Sequence, residues 1–331
     1  KDEKVDGVTI RHFAPPRNRA QRFYRSAWKA FYSALKERGD SYHFHDPDLL
    51  IMGFMLKLSG NKVVYDPHED HPGDFLGKDW IPTLFRKPLS LCVQFLEAIG
   101  GMCFDAIIPA TPPIAKRFPK DKTTVVQNFP RLEEFEITEQ PETPADEHPS
   151  LFSAGIISIN RGILQTLDAF QDLRKDYPSL RLLLAGEFLS EEEERVIRNH
   201  SAWKDVTYLG WISRKEVAHL THRSTCGVVL FHPGPNHTES YPTKLFEFMA
   251  AGLPIVVSHF PLWKTIVEGN GCGVTVDPQD PKAVAAGIRS ILDDPVQARA
   301  MGNRGQQVAR TTFNWEREAV KLLEAYRRVL E

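Results

Sequence analysis

Short apolar, β-branched runs alternate with longer segments of helical period along almost all of the 331 residues. Strands that alternate with helices in this way pair in parallel and are covered on both faces, so the chain is expected to form open, doubly wound α/β sheets. In the first half the strand candidates are Gly7 to His12, Tyr42 to His45, Lys62 to Tyr65, Phe104 to Ile108 and Thr123 to Gln127. Helices are expected at Arg17 to Glu37, Asp48 to Ser59, Pro82 to Gly100 and Ile114 to Phe118. The second half repeats the rhythm with strands at Leu151 to Ala154, Leu182 to Ala185, Val206 to Leu209, Gly227 to Phe231, Ile255 to Ser258 and Gly273 to Val276. Val284, Ile288, Ile291 and Leu292 mark one helical face there, and Ala319, Leu322, Leu323, Tyr326 and Leu330 mark another in the last helix. Between the halves, from Glu133 to Pro149, the composition turns to Glu, Thr and Pro, too polar to bury and too rich in proline for a helix. The expected division is therefore a first domain over 1–135, a linker over 136–149, a second domain over 150–312 and a final helix over 313–331 that returns to the first domain. Two Rossmann-like domains facing across a cleft place a ligand outside the carboxyl ends of their strands.

Charge narrows the partners. Lys and Arg number 41 against 43 Asp and Glu, which excludes a generic nucleic-acid binder, since that affinity needs a strongly positive surface. No run of eighteen apolar residues occurs, so no transmembrane helix is expected. The four cysteines, Cys92, Cys103, Cys226 and Cys272, lack CxxC spacing and suit a reducing cytoplasm rather than a disulfide scaffold or a cysteine-built zinc site. The chain begins with a charged stretch, without an initiator Met or a signal-peptide pattern, as the interior of a longer polypeptide would.

Basic residues are concentrated in one place. From Arg11 to Arg38 there are eight Lys or Arg and one acid, Glu37, interleaved with Phe23, Tyr24, Trp28, Phe31 and Tyr32. Phe75 to Arg86 mixes Trp80, Ile81, Leu84 and Phe85 with Lys78 and Arg86. Both patterns suit contact with an anionic membrane surface, and both also suit helices that pack their aromatic side and solvate their basic side.

The stretch Thr238 to Ser258, TESYPTKLFEFMAAGLPIVVS, carries the most chemistry. Leu245, Phe248 and Met249 form an i, i+3, i+4 face, Pro242 suits a first helical turn and Gly252 a left-handed stop, so a helix is expected from about Tyr241 to Ala251. Glu239 precedes it and Glu247 lies eight residues further on, a frame of roughly 12 Å at the rise of an α-helix. Such a frame suits an elongated ligand with hydroxyls at both ends and an anion between them. Glu247 would take ribose hydroxyls, Glu239 hexose hydroxyls, and the amides of Ser240, Tyr241, Pro242 and Thr243 the diphosphate. Two glutamates at this spacing are equally what an ordinary solvated surface helix carries.

The words around them are more specific. Glu239-x7-Glu247, followed by Phe-Met-Ala-Ala-Gly-Leu-Pro-Ile-Val-Val, closely resembles the nucleotide-sugar signature of glycosyltransferase family 4, retaining enzymes of the two-domain GT-B fold. Gly155-Ile-Ile-Ser-Ile-Asn-Arg161-Gly162 is similar to the first strand, loop and helix of that family's donor domain, where the glycine admits phosphates and a basic residue pairs with them. The resemblance implies that role for Arg161, as a bidentate partner. Many members carry a further arginine after the first glycine; Ile156 stands there in this chain, which shifts the expected charge to Lys244. Tyr208-Leu-Gly210-Trp211-Ile212 resembles the strand end that lies near the base. In the first half, Tyr42-His-Phe-His45-Asp46-Pro47 and Val64-Tyr-Asp-Pro-His68-Glu69 resemble the strand ends that face the cleft from the acceptor side, where a histidine in the place of His68 contacts the transferred sugar. His68-Glu-Asp-His71 crowds ligand-type groups without HExxH spacing or an evident fourth ligand, and no metal or other cofactor is expected.

The resemblance implies a retaining, metal-independent hexosyltransferase. Its substrate would be a UDP-, GDP- or similar nucleotide sugar, and its acceptor a glycan or lipid-linked oligosaccharide in bacterial surface polysaccharide synthesis. The implied location is cytoplasmic, peripheral at the inner membrane face. His68, Arg161 and Glu239 are the expected catalytic groups. A GT-B epimerase or hydrolase of sugar nucleotides, and a scaffold that binds nucleotide without turnover, share the same donor features, whereas a glycogen- or starch-type transferase is less expected of so short a chain. Members of the family open with a strand, a glycine-bearing loop and a helix ahead of the segment that Val5 to Ile10 resembles, and that opening is expected to be missing here.

Overall fold

A computed structural model describes residues 2–15, 21, 25–77, 81–135, 148–234 and 237–331. The expected linker falls largely on 136–147, and Phe23, Tyr24, Lys78 and Trp80 of the two basic aromatic stretches also lie outside the described residues. By internal contacts the chain forms two compact units, residues 1–127 with 319–331, and residues 128–318.

In the first unit, β1 (Glu3–Val5) and β2 (Val8–Ile10) make an exposed antiparallel hairpin closed by Asp6 and Gly7, both at positive φ. The expected parallel strand at Gly7 to His12 is thus a hairpin arm, because Asp-Gly is a tight-turn dipeptide. Arg11 is neutralised there by Asp2 at 2.7 Å and Glu37 at 2.6 Å, so it adds no free charge to the basic stretch. The parallel sheet of this unit is β3 (Tyr42–Phe44), β4 (Val63–Tyr65) and β5 (Ala106–Ile107), in that order. Thr123 to Gln127 runs along that sheet through an isolated bridge from Thr123 to Ile107 and a Val126 N–H bond to the Pro109 carbonyl at 3.2 Å, without forming a strand. Helices Leu50–Leu58 and Thr83–Cys103 cover it, with Phe44, Tyr65 and Phe104 buried between them. Helix Trp315–Leu330 contributes its last residues to this unit. Its buried stripe is Ala325 and Val329 rather than the expected Leu323 and Leu330, which are more than half exposed, a rotation of one position around the same helix.

The second unit is more regular. Strands β6 (Ser150–Ala154), β7 (Arg181–Ala185), β8 (Val206–Gly210), β9 (Cys226–Val229), β10 (Ile255–Ser258) and β11 (Gly273–Val276) form one parallel sheet in the order β11-β10-β9-β6-β7-β8. Counted within the unit this is 3-2-1-4-5-6, the doubly wound order whose direction reverses between its first and fourth strands. Alternate side chains feed opposite faces, as the period of two in a strand requires. Phe152, Leu183, Val229, Ile255 and Val257 pack toward helix Thr243–Ala251, while Leu151, Leu182, Leu184, Val228 and Val256 pack toward helices Ile163–Leu173 and Pro281–Leu292. Cys226 and Cys272 belong to this packing, and burial pushes their thiols up to about 12 and about 11, so they are inert.

Helix Thr243–Ala251 has no solvent side: Leu245 through Ala251 are all buried. Against it lies helix Pro295–Thr311, where a Cβ on Gly302 would meet the Gly252 carbonyl at 2.0 Å. Gly252 ends the helix at φ 76°, in the left-handed region, as Gly-Leu-Pro suggests.

Candidate functional site

The reversal between β6 and β9 opens a crevice at the carboxyl edge of the six-stranded sheet, and several of the expected residues gather there. Gly155 follows β6, with its N–H donating to the Ala185 carbonyl at 2.9 Å. Gly186 follows β7 at φ 131°, and a Cβ on it would lie 1.8 Å from the Gly155 carbonyl oxygen, so only glycine fits. Its N–H donates in turn to the carbonyl of Gly210, which ends β8, at 2.7 Å. Gly155, Gly186 and Gly210 therefore run along three adjacent strand ends as bare backbone. Trp211 comes next and is 75% exposed.

Arg161 closes the loop after β6 in a single 3-10 turn before Gly162. Its guanidinium lies over the Phe231 ring, 4.9 Å from the centroid, and Nη1 is 3.7 Å from the Cβ position of Gly155. Phe231 follows β9, so this contact crosses the crevice from the first strand to the fourth. Among the described residues no carboxylate pairs with Arg161. Burial alone lowers its pKa from the ordinary arginine value, the sign of a cation partly removed from water without a counter-charge.

The segment before helix Thr243–Ala251 corrects the sequence reading in detail. Pro242 is the residue ahead of the helix, at φ −67° and ψ 127°, and the helix starts at Thr243 rather than about Tyr241. Pro242 has no N–H, and the Ser240 N–H donates to the His237 carbonyl at 3.2 Å. Of the four amides expected to meet a diphosphate, those of Tyr241 and Thr243 remain. The Trp263 indole donates to the Ser240 carbonyl at 2.8 Å and holds this turn in place. Glu239 is exposed within it.

Glu247 is 2% exposed, not the solvated glutamate of a surface helix. Its burial is compensated by two cations: Lys244 Nζ at 2.6 Å from Oε2 and Arg214 Nη1 at 3.5 Å from Oε1. Arg214 also binds Glu134, and Ser213 with Glu216 forms a capping box that starts the helix carrying it. Arg214 was not singled out in the sequence; the sign it left was the Ser-x-x-Glu cap beginning two residues after Trp211. Lys244, expected to carry charge toward a diphosphate, is thus engaged by Glu247.

In the first unit, β3 and β4 end side by side, and their histidines converge. Asp66 Oδ2 lies 3.1 Å from His43 Nε2, 3.2 Å from His45 Nδ1 and 3.6 Å from His68 Nε2. His45 Nδ1 and His68 Nε2 are 2.7 Å apart. His45 and His68 are exposed, Asp66 is buried, and Asp46 is exposed at the start of a 3-10 turn. Asp66 and His43 were not picked out from the sequence, although both stand in the strand-end segments quoted for the other two histidines.

An open doubly wound domain with a glycine-lined edge is the kind of unit that the GT-B fold uses in pairs. The solved structures agree on the fold. Sucrose-phosphate synthase from Thermosynechococcus elongatus matches 99% of this chain and 84% of its own at a TM-score of 0.76 and 22% identity. Anabaena HepE in complex with UDP-glucose matches 93% of this chain and 84% of its own at 0.69 and 14%. Residues 134–308 match the family Glycosyl transferases group 1, and the chain belongs to that family. Glycogen synthase of Mycobacterium tuberculosis is 28% identical over 180 residues, which span 53% of this chain and 42% of that protein.

Proposed function

We propose that this chain transfers a hexosyl group from a nucleoside diphosphate sugar to a glycan or lipid-linked acceptor, with retention and without a metal ion in the transfer step, in bacterial surface polysaccharide assembly. The observation that carries the reading is Arg161: a partly desolvated guanidinium, unpaired among the described residues, at the reversal of a doubly wound sheet and beside the bare backbone of Gly155. Such a group is ready for an anion of high charge, and a diphosphate is an anion of that kind. The tyrosine and threonine amides at 241 and 243 add donors to the same anion.

In this reading the nucleotide's ribose reaches Glu247 at the far end of the helix, and Trp211 lies near the base. Glu239 and His68 orient the sugar, and His45 and Asp46 belong to the acceptor side. The acceptor hydroxyl attacks from the face on which the diphosphate leaves, and its proton passes to the departing phosphate oxygen. Charge grows on that oxygen as the glycosidic bond breaks, so fixed positive potential from Arg161 lowers the barrier more than it tightens the ground state. The exposed Leu84, Phe85 and Phe95 on helix Thr83–Cys103 support a lipid-linked acceptor at the inner membrane face. No helix among the described residues is long and apolar enough to cross a membrane.

A melting-temperature screen against UDP, GDP, ADP and their hexose derivatives tests the proposal. At least one of them should raise the melting temperature, and Arg161→Ala should reduce that rise. No response to any of them would overturn the donor reading. Consumption of the nucleotide sugar that requires an added acceptor separates transfer from hydrolysis or epimerisation.

A further inference from the structure

The cluster at the ends of β3 and β4 has the donor set of a transition-metal site. His43 and His45 are two residues apart on one strand end and so share a face, and Asp66 ends the neighbouring strand. His43, His45 and Asp66 each offer one ligand atom, and the three atoms lie within 4.8 Å of one another. In a tetrahedral zinc site with bonds of about 2.0 Å the ligand atoms stand about 3.3 Å apart. The two imidazole-to-carboxylate separations here are 3.1 and 3.2 Å. His68 Nε2, 3.6 Å from the same carboxylate oxygen, lies 2.7 Å from His45 Nδ1, too close to be a further ligand without moving, so the fourth position is left to water.

A second feature points the same way. Tyr326, on helix Trp315–Leu330, has its hydroxyl 2.5 Å from His43 Nδ1. A histidine that binds metal through one ring nitrogen normally donates its other N–H to an oxygen, which holds the ring and its tautomer. Tyr326 supplies that oxygen and leaves His43 Nε2 directed at Asp66. We propose that His43, His45 and Asp66 bind one divalent transition-metal ion, zinc being the ion the set suits best, with Tyr326 as the group that positions His43. Two imidazoles and one carboxylate are poor partners for magnesium or calcium, which prefer oxygen throughout. The ion ties the ends of β3 and β4 to the last helix. The sequence shows the two strand ends but not that they meet, because the ligands come from two segments and the tyrosine that holds His43 from a third.

The experiment is a calorimetric titration of the metal-freed full chain with Zn²⁺, without nucleotide, so its outcome is independent of the donor reading. The expected result is one bound equivalent, a higher melting temperature with Zn²⁺ but not with Mg²⁺, and visible ligand-field absorption with Co²⁺. His45→Gln and Asp66→Asn should each weaken Zn²⁺ by ~100-fold, and Tyr326→Phe by ~10-fold. The His45 side chain is 53% exposed, so His45→Gln keeps the fold, which circular dichroism checks. Absence of Zn²⁺ binding to the unaltered chain overturns the proposal. So does full affinity in both His45→Gln and Asp66→Asn, which would place the ion elsewhere, for example at Glu69, His71 and Asp74.

Discussion

Lys244 and Glu247 form an ion pair of 2.6 Å within the first two turns of helix Thr243–Ala251, with the carboxylate buried. Three residues apart, they share a helix face, and the sequence placed them on the same ligand in separate roles. Their pairing means that a nucleotide does not meet a bare glutamate and a bare lysine. In the proposed reading it would meet a carboxylate already held in position by Lys244 and Arg214.

Glu247→Ala is expected to weaken nucleotide binding by about 1.5 to 3 kcal/mol, the worth of hydrogen bonds to a charged acceptor. It should also lower the melting temperature, because it leaves Lys244 without its counter-charge and Arg214 with Glu134 alone. Calorimetry and thermal melting measure the two effects separately. Unchanged nucleotide affinity would count against the ribose role.

For Arg161→Ala, kcat should fall by ~100- to 1000-fold, with a smaller change in sugar-nucleotide affinity, since the charge it meets is greatest as the diphosphate departs. Arg161→Lys should recover only part of this, because an ammonium lacks the planar fork and its stacking on Phe231. Equal losses in kcat and affinity would indicate ground-state binding alone.

Gly186→Ala forces a Cβ into the Gly155 carbonyl, and neither backbone can move without disturbing the paired ends of β6 and β7. A loss of more than about 2 kcal/mol in denaturant unfolding is expected, together with loss of nucleotide binding. Stability within about 0.5 kcal/mol of the parent would mean that the three strand ends are not packed as described.

Glu97 is 2% exposed, accepts a hydrogen bond from Tyr65 Oη at 2.8 Å and has Arg117 Nη2 at 3.3 Å. Burial raises its pKa above the ordinary value of 4.5, with Arg117 opposing. The folded state therefore holds this proton more tightly than the unfolded chain does. Its contribution to stability is fullest below pH 4.5 and declines as pH rises through the raised folded value. Glu97→Gln, which stays neutral, should remove that slope and be the more stable chain at neutral pH. Denaturant unfolding between pH 4 and 8 reads the difference. A parent whose stability rises across that window would contradict it.

How much could be read before folding depends on the range of the interaction concerned. Local period placed β10 and β11 to the residue, and Gly252 stopped its helix where a left-handed residue was needed, because both are decided within a few neighbours. The same local rules made a strand of Thr123 to Gln127, a β-branched run that forms only an isolated bridge and one further bond at the sheet edge, and put the start of helix Thr243–Ala251 two residues early.

The family signature from Glu239 to Val257, the loop arginine and the α/β class were all legible in the chain as written, since each rests on residue type and spacing along one segment. The strand order that brings Arg161 over Phe231, the burial of Glu247 between Lys244 and Arg214, and the meeting of His43, His45, Asp66 and Tyr326 were decided by tertiary structure. Except for Lys244 and Glu247, which share one helix, those contacts join segments tens to hundreds of residues apart, and charge and hydrogen bonding act through space, on whatever the fold sets within a few ångströms.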